Sequence, residues 1–98
     1  ICAVPGLLAL LAGPFDLSVS LGLNGDYRHA RVQAAMDRLA AAARANALPL
    51  VAPIFDPDPA EIARQQAEWL ARGARLFTLG TDKILFSTAA RRYRAALG

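Results

Sequence analysis

Three times along the chain, a short continuous apolar run gives way to a turn with Gly, Pro or Asp and then to a segment with helical spacing. The runs fall at about Leu7–Ala12, Leu48–Phe55 and Arg75–Gly80. Continuous rather than alternating apolarity predicts strands covered on both faces, as parallel strands are when helices pack outside them. The rhythm is βα, βα, βα, without the close self-similarity of a solenoid repeat. It predicts an α/β fold with a parallel sheet.

The helical segments carry their own signals. From about His29 to Asn46, Val32, Met36, Leu39 and Ala43 share a stripe, and the exit Asn46-Ala47-Leu48-Pro49 reads as a stop with Asn46 in the left-handed conformation. The next helix starts at Asp58 as cap, with Pro59 at its first position and Glu61 completing a capping box. Ile62, Gln66, Trp69 and Leu70 follow at helical spacing toward Gly73, and Trp69 is expected in the core. The last helix, about Asp82 to Leu97, carries Ile84, Leu85, Thr88, Ala89, Tyr93 and Leu97.

With 98 residues, 55% of them hydrophobic, there is material for one small core and one domain. Three parallel strands would leave two unpaired sheet edges. The apolar run begins almost at Ile1, so the chain is expected to start inside a larger protein and to be its C-terminal piece.

The formal charge of +3 and a pI near 9.8 permit an anionic partner, yet the arrangement argues against nucleic acid and membrane alike. Most arginines stand singly among acidic residues, and the one cluster, Arg91-Arg92-Tyr93-Arg94, falls in the last helical turns, where cations complement the dipole. A lone Cys2 excludes an internal disulfide and any CxxC site, which suits a cytoplasmic setting.

Loops leaving the C-terminal ends of parallel strands form the active face. Phe55–Pro59 reads as a rigid turn feeding a cap, and Gly80-Thr81-Asp82 as a tight turn starting a helix or meeting an anion. In Gly13-Pro14-Phe15-Asp16-Leu17-Ser18 a carboxylate directly follows a buried strand. Gly13 permits close backbone approach and Pro14 stiffens the turn. A hard divalent cation favours such an oxygen ligand, and the neighbouring N–H groups of Phe15 and Asp16 suit a carboxylate. On spacing alone Asp16 is either a metal ligand or a helix N-cap, with Ser18 a second cap candidate.

At these residues the sequence resembles a known family. Gly13-Pro14-Phe15-Asp16-Leu17-Ser18-Val19-Ser20-Leu21-Gly22 is similar to the GP(Y/F/A)DLSxxLG segment of the HpcH/HpaI aldolases, metal-dependent 2-keto-3-deoxy acid aldolases related to the citrate lyase β-chain. His29-Ala30-Arg31-Val32-Gln33-Ala34-Ala35 resembles the family's HPEVQAA helix start, and Gly73–Asp82 its GA-(apolar)-xLGxD strand and turn. The chain departs from the family at Pro5-Gly6-Leu7-Leu8, where an acidic residue is usual, and in a proline-rich loop at Pro53–Pro59.

The resemblance implies the last three βα units of a TIM (β/α)8 barrel. It implies that Asp16 ligates Mg²⁺, Mn²⁺ or Co²⁺, and that Gly13, Phe15 and Asp16 bind the carboxylate of a small oxo-acid substrate through the loop's N–H groups. The reaction implied is reversible cleavage of a 4-hydroxy-2-oxo acid to pyruvate and an aldehyde. The family's other metal ligand, its substrate-clamping Arg and its His-containing base lie upstream, so no catalytic proton-transfer residue is expected here. His29 aligns with a helix start and is expected to lie at the surface or to cap the helix. The resemblance also implies a homo-oligomeric parent, with Ile84, Leu85 and Tyr93 as interface candidates. The alternative is a non-catalytic truncated or complementing α/β module.

Overall fold

A computed structural model describes all residues, 1–98. Its elements run β1 (Leu10–Leu11), α1 (Pro14–Ser20), α2 (Ala30–Ala45), β2 (Leu50–Ile54), α3 (Pro59–Ala71), β3 (Leu76–Leu79) and α4 (Asp82–Leu97). The three strands form one parallel sheet in the order β1-β2-β3. Leu10 stands level with Leu50 and Leu76 with Val51, so β1 and β2 start in step and β3 one residue later. The predicted α/β order therefore holds, with strands shorter than the apolar runs.

Helix-facing positions on β2 are Leu50, Ala52 and Ile54, all buried, and Val51 and Pro53 alternate with them at half burial. The core forms where α2 contributes Val32, Met36, Ala40 and Ala43 and α3 contributes Trp69 against these strand residues. Small residues at Ala12, Ala52 and Ala74, each at most 2% exposed, let the backbone layers approach closely. Burial of Val32, Met36, Ala43 and Trp69 agrees with the sequence pattern. On α3 the buried polar residue is Gln65 rather than Gln66, and its amide donates to Glu61 at 3.0 Å, which satisfies it beside the core.

Covering on both faces does not occur within this chain. Leu11 and Leu76, in register with Val51 on the face away from the helices, are 65% and 54% exposed. Parallel strands need two covered faces, and only one set of helices is present to supply them. α4 likewise buries none of its residues, and Phe86, Tyr93 and Leu97 are more than three-quarters exposed. The radius of gyration, 15.7 Å over a long axis of 55 Å, exceeds the roughly 13 Å of a compact chain this size.

Helix ends show where local chemistry was legible. Gly73 has φ +99° and its N–H donates to Leu70 while Ala74 donates to Trp69, a Schellman closure that ends α3 as expected. The same closure ends α2, yet the left-handed residue is Ala47 (φ 53°), not Asn46. Asn46 stays near helical conformation because its amide donates back to Ala42 at 2.9 Å. Asp58 caps α3 by accepting from Ala60 at 2.9 Å. The capping box is not formed: the Asp58 N–H donates to Asp56, and Glu61 instead serves Arg28, Arg64 and Gln65.

Candidate active-site rim

The sheet's C-terminal rim is built from three strand-to-helix junctions. At the first, the chain passes from Ala12, whose N–H donates to Val51 at 2.9 Å, directly into α1. The expected Gly13–Ser18 loop is thus a short helix. Pro14 at its first position fixes φ and surrenders no needed donor, and Asp16 in its first turn complements the dipole. Seven residues are too few for a hydrophobic period, and the Pro-x-Asp start was the only available signal.

Gly13 is the N-cap, and the carbonyl of Gly13 accepts from Leu17 at 3.0 Å. Neither Asp16 nor Ser18 caps the helix, because both lie inside it. The N–H groups of Phe15 and Asp16, at the open end of α1, have no acceptor in the chain. The exposed Asp16 carboxylate takes part in none of the four ion pairs. Its Oδ2 lies 3.4 Å from where a Gly13 side chain would begin, so Gly13 keeps the space beside the carboxylate open. Phe15 is 56% exposed and turns its ring against Gly25.

The sequence offered Ser18 only as a cap candidate, and its place inside the helix was not legible there. Ser18 is fully buried, and its hydroxyl donates to the Phe15 carbonyl at 2.6 Å, inside the same turn that presents the free N–H groups. No pattern in the sequence separates it from the exposed Ser20, whose hydroxyl donates to the backbone carbonyl of Asp16 at 3.0 Å.

The other two junctions carry helix caps. Asp56 accepts from Asp58 at 2.9 Å to form the turn before α3. After β3, Gly80 (φ +64°) turns the chain and the Thr81 hydroxyl accepts from Ile84 at 3.3 Å to start α4. His29 caps α2 by accepting from Arg31 on Nδ1 at 3.2 Å, the role its position suggested.

A groove of about 360 Å³ lies between α2 and α3, with Arg28, Arg64 and Arg72 on its walls. Each of these cations is paired. Glu61 engages Arg28 and Arg64, Glu68 engages Arg64, and Asp37 engages Arg72, which also stacks on Trp69 at 5.1 Å. The groove is a charge-compensated seam holding two helices together.

No three His, Cys, Asp or Glu side chains come together as a metal-holding group. A free carboxylate beside two free N–H donors fits one share of a divalent site with an oxyacid ligand, and the remaining ligands would have to come from elsewhere. No helix is long and apolar enough to cross a membrane.

Parallel βα units with an unpaired carboxylate where the first strand ends form an α/β arrangement whose candidate functional loops lie at the C-terminal rim of the sheet. The chain belongs to the HpcH/HpaI aldolase/citrate lyase family, whose profile matches residues 1–89. It is 41% identical over 91 residues to a hydroxypyruvate/pyruvate aldolase of Paraburkholderia phytofirmans, covering 93% of this chain and 33% of that one. It is 36% identical over 92 residues to a 5-keto-4-deoxy-D-glucarate aldolase of Escherichia fergusonii, covering 94% of this chain and 34% of that one. The crystal structure of an HpcH/HpaI aldolase from Desulfitobacterium hafniense superposes with a TM-score of 0.84 at 25% identity, over 99% of this chain and 36% of its own. The chain thus spans about a third of the length of these relatives.

Proposed function

We propose that this chain is the C-terminal portion of a single HpcH/HpaI-type barrel domain and supplies one corner of its active site. The reaction of the whole protein is reversible aldol cleavage of a 4-hydroxy-2-oxo acid to pyruvate and an aldehyde. The observation that carries this reading is the unpaired Asp16 carboxylate beside the unsatisfied Phe15 and Asp16 N–H groups.

Breaking a carbon–carbon bond next to a keto group builds negative charge on the keto oxygen. A divalent ion such as Mg²⁺, Mn²⁺ or Co²⁺ acts there as a Lewis acid. Asp16 contributes one carboxylate ligand and transfers no proton. The Phe15 and Asp16 N–H groups receive the carboxylate of the oxo acid, and Gly13 leaves that approach clear. Reading the chain as cytoplasmic rests on its single, unpaired Cys2. Reading the parent as a homo-oligomer rests on α4, where Leu85 and Tyr93 are 60% and 76% exposed.

A second reading, a module that completes a barrel in trans, is favoured by the uncovered sheet face at Leu11 and Leu76. One experiment addresses both. The isolated 98-residue chain is assayed for pyruvate release from a 4-hydroxy-2-oxo acid with Mg²⁺ or Mn²⁺, and its size is measured by gel filtration. No turnover is expected from one corner of a site, and robust turnover overturns the partial-site reading. A stable monomer indifferent to divalent ions counts against complementation.

A further inference from the structure

In the loop between α1 and α2, Leu23 to Asp26 form a β-turn in which the Asp26 N–H donates to the Leu23 carbonyl at 2.9 Å. Both central residues are left-handed, Asn24 at φ 51° and Gly25 at φ 89°, which makes the turn type I′. The peptide plane between them is tied to nothing. The Gly25 N–H has no acceptor, the Asn24 carbonyl has no donor, and the exposed Asn24 side chain makes no hydrogen bond. Flipping that plane converts type I′ to type II′ and keeps the bond from Asp26 to Leu23, because only the Asn24 ψ and the Gly25 φ change. At the type II′ value, about −120° for the Asn24 ψ, the Asn24 Cβ lies in the plane of the Gly25 nitrogen. Rotation of the side chain then brings Cγ onto that nitrogen, the alignment that closes a five-membered ring.

We propose that Asn24 is a site of spontaneous covalent modification, converting to isoaspartate and aspartate in the folded protein. The Gly25 nitrogen gives its proton to hydroxide and attacks Asn24 Cγ. The bond from Cγ to Nδ2 breaks, and ammonia leaves with a proton taken from water, giving a succinimide. Water then opens the ring at either carbonyl, with no oxidation or reduction. Opening at Cγ restores the ordinary backbone with an aspartate side chain. Opening at the backbone carbonyl routes the chain through Cβ and Cγ and leaves a free α-carboxylate.

Gly25 has no Cβ to hinder its nitrogen. Asn46, the other asparagine, is also exposed but lacks these conditions. Its amide donates to the Ala42 carbonyl at 2.9 Å, and the N–H of Ala47 that would attack it donates to Arg44 at 3.2 Å. The isoaspartyl backbone is one atom longer than the original. A Cβ on Gly25 would sit 2.8 Å from the Phe15 ring, so a longer chain here shifts Gly25 off that ring and releases it. None of this chemistry depends on the aldolase reading.

The test uses the gene product that contains this chain, unaltered and as Asn24→Gln, aged without denaturant at neutral and mildly alkaline pH and, in parallel, in urea. Peptide mass spectrometry with electron-transfer fragmentation reads the gain of about 1 Da from amide to acid and separates the two products. An isoaspartyl-specific carboxyl methyltransferase with labelled S-adenosylmethionine counts isoaspartate independently. In the folded protein Asn24 is expected to convert within about tenfold of its rate in urea, the population cost of visiting a rare backbone region, and faster as hydroxide rises. Asn46 stays an amide while the protein is folded, Asn24→Gln gains no isoaspartate in the loop, and the Phe15 ring resonances shift in the converted fraction. If Asn24 persists in the folded protein while converting in urea, the turn locks the plane and the proposal falls. Equal conversion of Asn24 and Asn46 in the folded protein overturns it as well, since exposure alone would then set the rate.

Discussion

Gly25 lies so close to the ring of Phe15 that a Cβ on it would sit 2.8 Å from Phe15 Cε2. The loop between α1 and α2 thus closes over the residue whose N–H faces the rim. Gly25 also has φ +89°, a conformation that L side chains rarely adopt.

Gly25→Ala is accordingly expected to lower unfolding stability by about 2 kcal/mol, from the left-handed penalty with the steric contact added. Urea denaturation measures it. A variant as stable as the unaltered chain would show that the loop relaxes and does not fix Phe15.

Arg72 ties the two core helices together. It donates to Asp37 at 2.8 Å and to Gln33 at 2.7 Å, and stacks on Trp69 with its side chain only 18% exposed. Arg72→Ala is expected to cost about 1–2 kcal/mol, most of it from the stacked, half-buried contacts, since Asp37 is well exposed and the ion pair adds little. Arg72→Lys recovers less than half, because an ammonium cannot stack and fork at once. Equal stability of all three proteins in urea contradicts this.

Ala47 closes α2 at φ 53°. Replacing it with glycine removes the left-handed penalty, so Ala47→Gly is expected to stabilise the chain by about 1 kcal/mol despite the added freedom of the unfolded state. A lower urea midpoint would show that the backbone penalty at this site is negligible.

These particulars explain how much the sequence disclosed. Long helices with an apolar stripe and a chemical stop were legible, since Val32, Met36 and Ala43 recur at helical spacing and Gly73 terminates α3 as its left-handed freedom allows. α1 was not, because seven residues hold no period and only Pro14 and Asp16 announce it. Glu61 left its expected capping box for a tertiary reason: Arg28 and Arg64 reach it from outside the cap, and spacing along one helix cannot foresee them. Asp16 was legible as a candidate through its place after a buried strand, whereas the open N–H pair became definite only once the chain was seen to enter a helix there.

The central claim is that Asp16 and the neighbouring N–H groups form part of a metal-assisted aldolase site. Its most direct test is Mn²⁺ affinity and aldol-cleavage rate for Asp16→Asn against the unaltered gene product that contains this chain. Substitutions that merely touch a ligand's hydrogen-bond partners already cost about 10–100-fold, so loss of the ligand itself is expected to cost at least about 100-fold in both. Cleavage and Mn²⁺ binding preserved within a few-fold in a folded Asp16→Asn protein would contradict the account.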